Sequence, residues 1–198
     1  QKSVHNKWDD STAILSGDAL FVLAQLSLKG LSDIIHQRFN EVALTICEGQ
    51  GMDKEFENNS SININHYLSM IGKKTGALLG LSAEMGALLG KLDNHKNKDL
   101  FEFGFNLGLA FQIQDDYLEI FGDESSMGKS LGSDITSGKQ TVLTILAREK
   151  DPVNWERFIS SNSDIQGYKE YYESSEVKIE AKKLIDEFIS KSQINLDV

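Results

Sequence analysis

Residues 100–121 constrain this chain more than any other stretch. Thirteen of these twenty-two positions are apolar and two more are glycine, which predicts a long helix buried over most of its circumference. Yet Gln112, Asp115, Asp116 and Glu119 interrupt it, inside the sequence FQIQDDYLEIFGD at 111–123. With Gln112 at 0° and about 100° per residue, these acids fall at roughly −60°, 40° and −20°. All four polar residues therefore share an arc of about 100°. Towards the N-terminus the same stripe becomes Gly108, Phe105 and Phe101, so carboxylates at one end give way to a gap flanked by rings. Most acidic stripes are solvated faces. This one lies on a helix whose other faces are apolar, where clustered acids repel one another and lose hydration. Hard divalent cations relieve both penalties. A set of carboxylates with few other donors suits Mg2+, which keeps waters and bridges to phosphate oxygens. The stripe predicts a Mg2+–phosphate site above an apolar slot.

The loop that follows, GDESSMGKSLGSDITSGK at 122–139, is rich in glycine and serine and carries Lys129 and Lys139. It is not a P-loop. Five residues separate Gly122 from Gly128-Lys129-Ser130, and five separate Gly132 from Gly138-Lys139, where that motif has four; the preceding element is also a helix rather than a strand. Lysines beside a metal site read instead as flexible clamps for diphosphate oxygens. Lys74-Thr75 begins a polar patch on an otherwise apolar helix, and Gln50 and Asp53 share a helix face in EGQGMD.

Helical periodicity dominates the rest. Helices are predicted over about 11–28, 32–56, 64–92 and 97–121, with a short one after the loop and two or three more to about 190. In the first of them, Ile14, Leu15, Leu20, Leu23 and Leu26 are expected to face a core, and Cys47 is expected to be buried among Val42, Leu44 and Ile46. The only proline, Pro152, follows Asp151 in an N-cap pattern and leaves the long helices intact. The expectation is one all-α domain over 1–198, a helical bundle with a central apolar cavity. The apolar run at 75–92 contains Glu84 and many small residues, and reads as a tightly packed helix rather than a membrane span. A net charge of −10 disfavours nucleic acid and anionic membranes as partners, and one cysteine suits a reducing compartment.

FQIQDDYLEIFGD followed by GKSLGSDITSGKQT resembles the second aspartate-rich motif and following loop of the trans-isoprenyl diphosphate synthases, the farnesyl, geranylgeranyl and longer polyprenyl enzymes. VHNKW, ILSGDAL, EGQGMD and Lys74-Thr75 agree in order, so the resemblance runs from residue 1 to about 147. It implies an isoprenoid-synthase-type bundle that condenses an allylic diphosphate with isopentenyl diphosphate, using Mg2+ or, in its place, Mn2+. By resemblance, Asp115 would be the main metal ligand, with Asp116 and Glu119 beside it. Lys74, Lys129 and Lys139 would hold diphosphate. Thr75 and Gln112 would stabilise an allylic cation, Gln50 and Asp53 would support the metal cluster, and Phe101, Phe105 and Gly108 would line the prenyl pocket. A cytoplasmic homodimer is implied. Glu119 departs from the family's usual aspartate. The first aspartate-rich motif would lie upstream of QKSVHNKW, so the chain is expected to be the C-terminal two-thirds of a longer synthase and inactive by itself. The alternatives are a non-catalytic subunit of a heteromeric synthase and a class I terpene cyclase.

Overall fold

The computed structural model describes residues 2–122, 132–161, 163–194 and 196, and among these there is no strand. The chain forms two compact units, Gln1–Glu41 and Val42–Val198. Lys129 lies outside the described residues.

The first unit holds α1 (Val4–Lys7), α2 (Asp10–Ser27) and the start of α3 (Asp33–Phe56). Asp9 caps α2 by accepting from the Thr12 amide at 2.7 Å. Phe21 stacks on Phe39 with centroids 5.8 Å apart, and Gln25 donates to Asn40 at 2.9 Å. The expected core face of α2 is overturned: Ile14, Leu15, Leu20, Leu23 and Leu26 are all exposed, and α2 has no buried residue. So small a helical unit has too little surface of its own to cover an apolar stripe.

The second unit contains the remainder of α3, then α4 (Ile64–Ile71), a π-helical turn (Gly72–Gly76), α5 (Ala77–Leu89) and α6 (Asn94–Phe121). After α6 come α7 (Ser133–Thr136), α8 (Val142–Lys150), α9 (Pro152–Ser160), α10 (Ile165–Ser174) and α11 (Val177–Ile194). Side-chain caps mark many of the starts: Asn63 and His66 form a capping box on α4, Asp93 caps α6, Thr141 caps α8 and Asp164 caps α10. Asp151 caps α9 with Pro152 at its first position, as the sequence predicts.

The main core gathers Tyr67 and Ile71 from α4, Ile113 from α6, Val142, Leu143 and Ile145 from α8, and Val177 and Phe188 from α11. Val42 of α3 forms a smaller cluster with Ala77 and Leu81. Cys47 is exposed rather than buried. It lies five residues beyond Val42, about 140° round the helix, and so faces away from that cluster.

Glycines set the depth of the α5–α6 seam. A Cβ on Gly104 would stand 2.4 Å from the Leu79 carbonyl oxygen, and one on Gly108 would stand 2.6 Å from the Gly76 Cα. The two backbones therefore touch where any side chain would hold them apart. The single helix expected over 64–92 is instead interrupted by the π turn at Gly72–Gly76. One wide turn advances the face by a single residue, which apolar periodicity barely registers. Lys74 and Thr75 sit inside it.

Candidate functional site

One small cavity, of about 80 Å³, gathers residues from five segments of the second unit. Asp53 comes from α3, Tyr67, Met70 and Ile71 from α4, and Lys74 from the π turn. Gln112, Asp115 and Asp116 come from the C-terminal half of α6, and Asp134, Lys139, Gln140 and Thr141 from α7 and the turn after it. That volume admits several water-sized groups, such as a cation, its waters and phosphate oxygens, but not a prenyl chain.

Each of the two lysines is already met by an aspartate. Lys74 Nζ stands 2.6 Å from Asp53 Oδ2, and Lys139 Nζ stands 2.8 Å from Asp134 Oδ1. The second pairing follows from backbone geometry. The Gly138 amide bonds to Ile135 O and the Lys139 amide to Asp134 O, at 3.1 and 3.0 Å, with Gly138 at φ 69°. This is the Schellman ending of a helix, and it places residues five apart side by side. Burial pulls the Lys139 ammonium down, but the Asp134 hydrogen bond and charge, with Asp53 and Asp116 beyond, more than offset it and leave its pKa raised.

A hydrogen-bonded chain crosses the cavity. The Thr75 hydroxyl donates to Gln112 Oε1 at 3.0 Å, and Gln112 Nε2 donates to Asp116 Oδ1 at 3.1 Å. The Tyr67 hydroxyl then donates to Asp116 Oδ2 at 2.7 Å, and the Val142 amide, first in α8, donates to the same oxygen at 3.3 Å. Even with these three donors, burial dominates and pushes the Asp116 carboxyl up to about 6, helped by the charge of Asp134. The Tyr67 hydroxyl is driven well above its ordinary value by its own burial and by Asp116.

The native state holds the Asp116 proton more tightly than an unfolded chain at the ordinary 3.8, so this contribution is fully present below about pH 3.8 and is lost as pH rises through about 6. Without metal, the unmodified protein is expected to lose up to about 3 kcal/mol across that window from this group. Urea midpoints of the Asp116→Asn variant should show a flatter pH profile. Identical slopes for the two proteins would remove Asp116 as the cause.

The predicted site residues thus divide. Lys74, Lys139, Gln112, Asp53, Asp115 and Asp116 line one cavity, and Thr75 reaches it through Gln112. Gln50 stands behind Asp53, with Nε2 3.5 Å from its Oδ2. Glu119 is only 1% exposed and lies outside the lining, one helical turn beyond Asp115. Phe101, Phe105 and Gly108 also lie outside it. Phe105 packs on Gly72 and Gly76, Phe101 on Gly80, and Gly108 on Gly76, so this part of the stripe fills the α5–α6 seam. Asp134, Tyr67, Gln140 and Thr141 are additions from the structure. The sequence carries a sign of Asp134 alone, in the helix-ending spacing SDITSGK.

The donor set fits a divalent cation. Four carboxylates and two ammonium groups leave a net charge of −2 when all are ionised, every acidic donor is a hard oxygen, and burial already disfavours charge on Asp116. Among the described residues no three acids, histidines or cysteines converge into a ready-made cage.

The sequence profile described as polyprenyl synthetase matches residues 1–174. The chain belongs to the polyprenyl synthetase family. Its sequence is 41% identical over 151 residues to a geranylgeranyl diphosphate synthase of Saccharolobus solfataricus, covering 72% of this chain and 46% of that protein. It is 32% identical over 205 residues to a geranylfarnesyl diphosphate synthase of Natronomonas pharaonis, covering 99% and 60%. The crystal structure of a geranylgeranyl pyrophosphate synthetase from Pyrococcus horikoshii matches all of this chain and 64% of its own, with a TM-score of 0.90 and 32% identity. This polyprenyl synthetase chain spans about half the length of the first curated relatives it matches.

Proposed function

We propose that the protein carrying this chain is a Mg2+-dependent prenyltransferase. It joins an allylic diphosphate to isopentenyl diphosphate, releases pyrophosphate, and so makes a longer trans-prenyl diphosphate. The observation that carries this reading is the cavity lined by four carboxylates and two lysines beside the Thr75–Gln112 pair. Membership of the polyprenyl synthetase family supports it, as do the names of the relatives.

In this proposal Asp115 and Asp116 hold Mg2+, with Asp53 and Asp134 across the cavity, Glu119 behind them and Gln50 orienting Asp53. Mn2+ is accepted in its place, since carboxylate and water donors suit both ions. When bound, the cation neutralises charge that builds on the departing diphosphate. Lys74 and Lys139 bind the diphosphate oxygens, each exchanging its aspartate for the substrate, and Lys129 belongs to the same proposal. The allylic C–O bond breaks with its electron pair leaving on pyrophosphate. The negative ends of the Thr75 and Gln112 dipoles steady the allylic cation. The isopentenyl double bond supplies the new C–C bond, and the proton then lost passes to pyrophosphate. The prenyl-pocket role of Phe101, Phe105 and Gly108 belongs to the same proposal: the two part-buried rings offer their outer edges to the hydrocarbon, and Gly108 sets their depth by its contact with Gly76.

We extend the proposal to a cytoplasmic homodimer. No described helix is long and apolar enough to cross a membrane. The apolar residues that α2 leaves exposed support a covered face there. The testing experiment is pyrophosphate release by the protein carrying this chain, with allylic and isopentenyl diphosphates and Mg2+. Release is expected only when both substrates and the metal are present. Release from the allylic substrate alone, with a hydrocarbon or alcohol product, would replace this reading with a cyclase.

A further inference from the structure

Lys139 owes its place to a turn, and that turn is tied by Asn58 and Arg148, which stand outside the cavity, and by Gln140, which lines it. The Gly138 carbonyl accepts from the Asn58 amide at 3.0 Å and from Gln140 Nε2 at 3.3 Å. Asn58 is left-handed, at φ 58°, and lies just past the end of α3, the helix that supplies Asp53. Its side chain rests on Gly138: a Cβ there would stand 2.0 Å from Asn58 Oδ1, so residue 138 must be glycine for contact as well as for conformation. Gln140 is fixed in turn. Arg148 Nη1 donates to its Oε1 at 2.6 Å, while Arg148 Nη2 donates to the Ile62 carbonyl. The next residue, Glu149, accepts from the Ile64 amide at 3.0 Å. One turn of α8 thus grips both the segment that leads into α4 and the turn that carries Lys139.

We propose that Arg148 is a positioning residue for Lys139, acting through Gln140 and the Gly138 carbonyl to hold the ammonium at the diphosphate subsite. This rests on the diphosphate-binding role of Lys139 proposed above. Arg148 is not among the residues lining that cavity, so it acts on substrate only through the turn. The planar fork of arginine meets two acceptors from well-separated parts of the chain at once, and a lysine at 148 has no such geometry.

The test compares the unmodified protein with Arg148→Met, Arg148→Lys, Lys139→Ala and the Arg148→Met/Lys139→Ala double variant. The first readout, amide hydrogen exchange without ligand, needs no assumption about function. Arg148→Met is expected to speed exchange at Gly138 and Lys139 while α11 keeps its protection. Unchanged exchange in the turn overturns the proposal. So does loss of protection throughout α11, which would make Arg148 a general support of the core. The second readout is affinity for pyrophosphate in the presence of Mg2+. Arg148→Met should weaken it about tenfold, as expected for a lost hydrogen bond from a charged donor, and Arg148→Lys should not restore it. In the Lys139→Ala background the same change should cost nothing further. Additive losses would contradict a route through Lys139. If the unmodified protein binds no pyrophosphate, the proposed function fails, and the exchange measurement still decides the clamp.

Discussion

Asp115→Ala, made in the protein that carries this chain, is expected to lower kcat/KM on the order of 10²–10³-fold while the helical fold survives. The size follows from removing one preorganised electrostatic partner of a developing charge. Survival of the fold follows from the surroundings of Asp115. It shares one cavity with Asp53, Asp116 and Asp134, so without metal its removal relieves crowding among like charges. Circular dichroism and urea midpoints should therefore match or exceed those of the unmodified protein even as turnover collapses. Near-normal turnover would remove Asp115 from the metal site. A collapse of turnover with equal loss of stability would make it a structural residue instead.

The second large effect belongs to the α5–α6 seam. Gly104→Val is expected to destabilise the protein by about 3 kcal/mol or more, because overpacking here falls on atoms that cannot rotate aside. A Cβ at 104 meets the Leu79 carbonyl oxygen at 2.4 Å, its carbon at 2.7 Å and the Gly80 Cα at 2.9 Å. Gly86 provides the control within the same pair of helices. It lies inside α5, and a Cβ there meets nothing within 4 Å. Gly86→Ala is therefore expected to gain up to about 1 kcal/mol from helix propensity. One glycine inside the seam and one exposed on α5 should thus move the urea midpoint in opposite directions. Equal shifts would mean that the close backbone approach does not govern the packing.

The α6 stripe was the most legible feature because it depends on one helix alone. A period of 3.6 residues suffices to bring Gln112, Asp115 and Asp116 onto the face that lines the cavity. The same arithmetic carried less far for Glu119, Phe101, Phe105 and Gly108. They share the stripe, but Phe101, Phe105 and Gly108 are met by Gly72, Gly76 and Gly80 of the preceding segment, and Glu119 is buried outside the cavity lining. Pairings across segments were out of reach of periodicity. Nothing in the spacing of Asp53 and Lys74 announces a 2.6 Å ion pair. The Asp134–Lys139 pair could have been read from its helix-ending glycine, because that contact is local. On α2 the prediction failed for the opposite reason. An apolar face states that something should cover it, but not that the covering lies within Gln1–Glu41. Cys47 failed on phase, since apolar neighbours in sequence do not share a helix face.

Asp53, Asp115, Asp116 and Asp134 line one cavity, and we propose that they form one metal–diphosphate site completed by its ligand. Paramagnetic broadening by Mn2+ tests this most directly, read on the backbone amide signals of the protein with and without pyrophosphate. With pyrophosphate, broadening is expected to be strongest at these four aspartates and to be lost in the Asp115→Ala variant. Broadening centred elsewhere, or unchanged by pyrophosphate and by the substitution, would contradict the account.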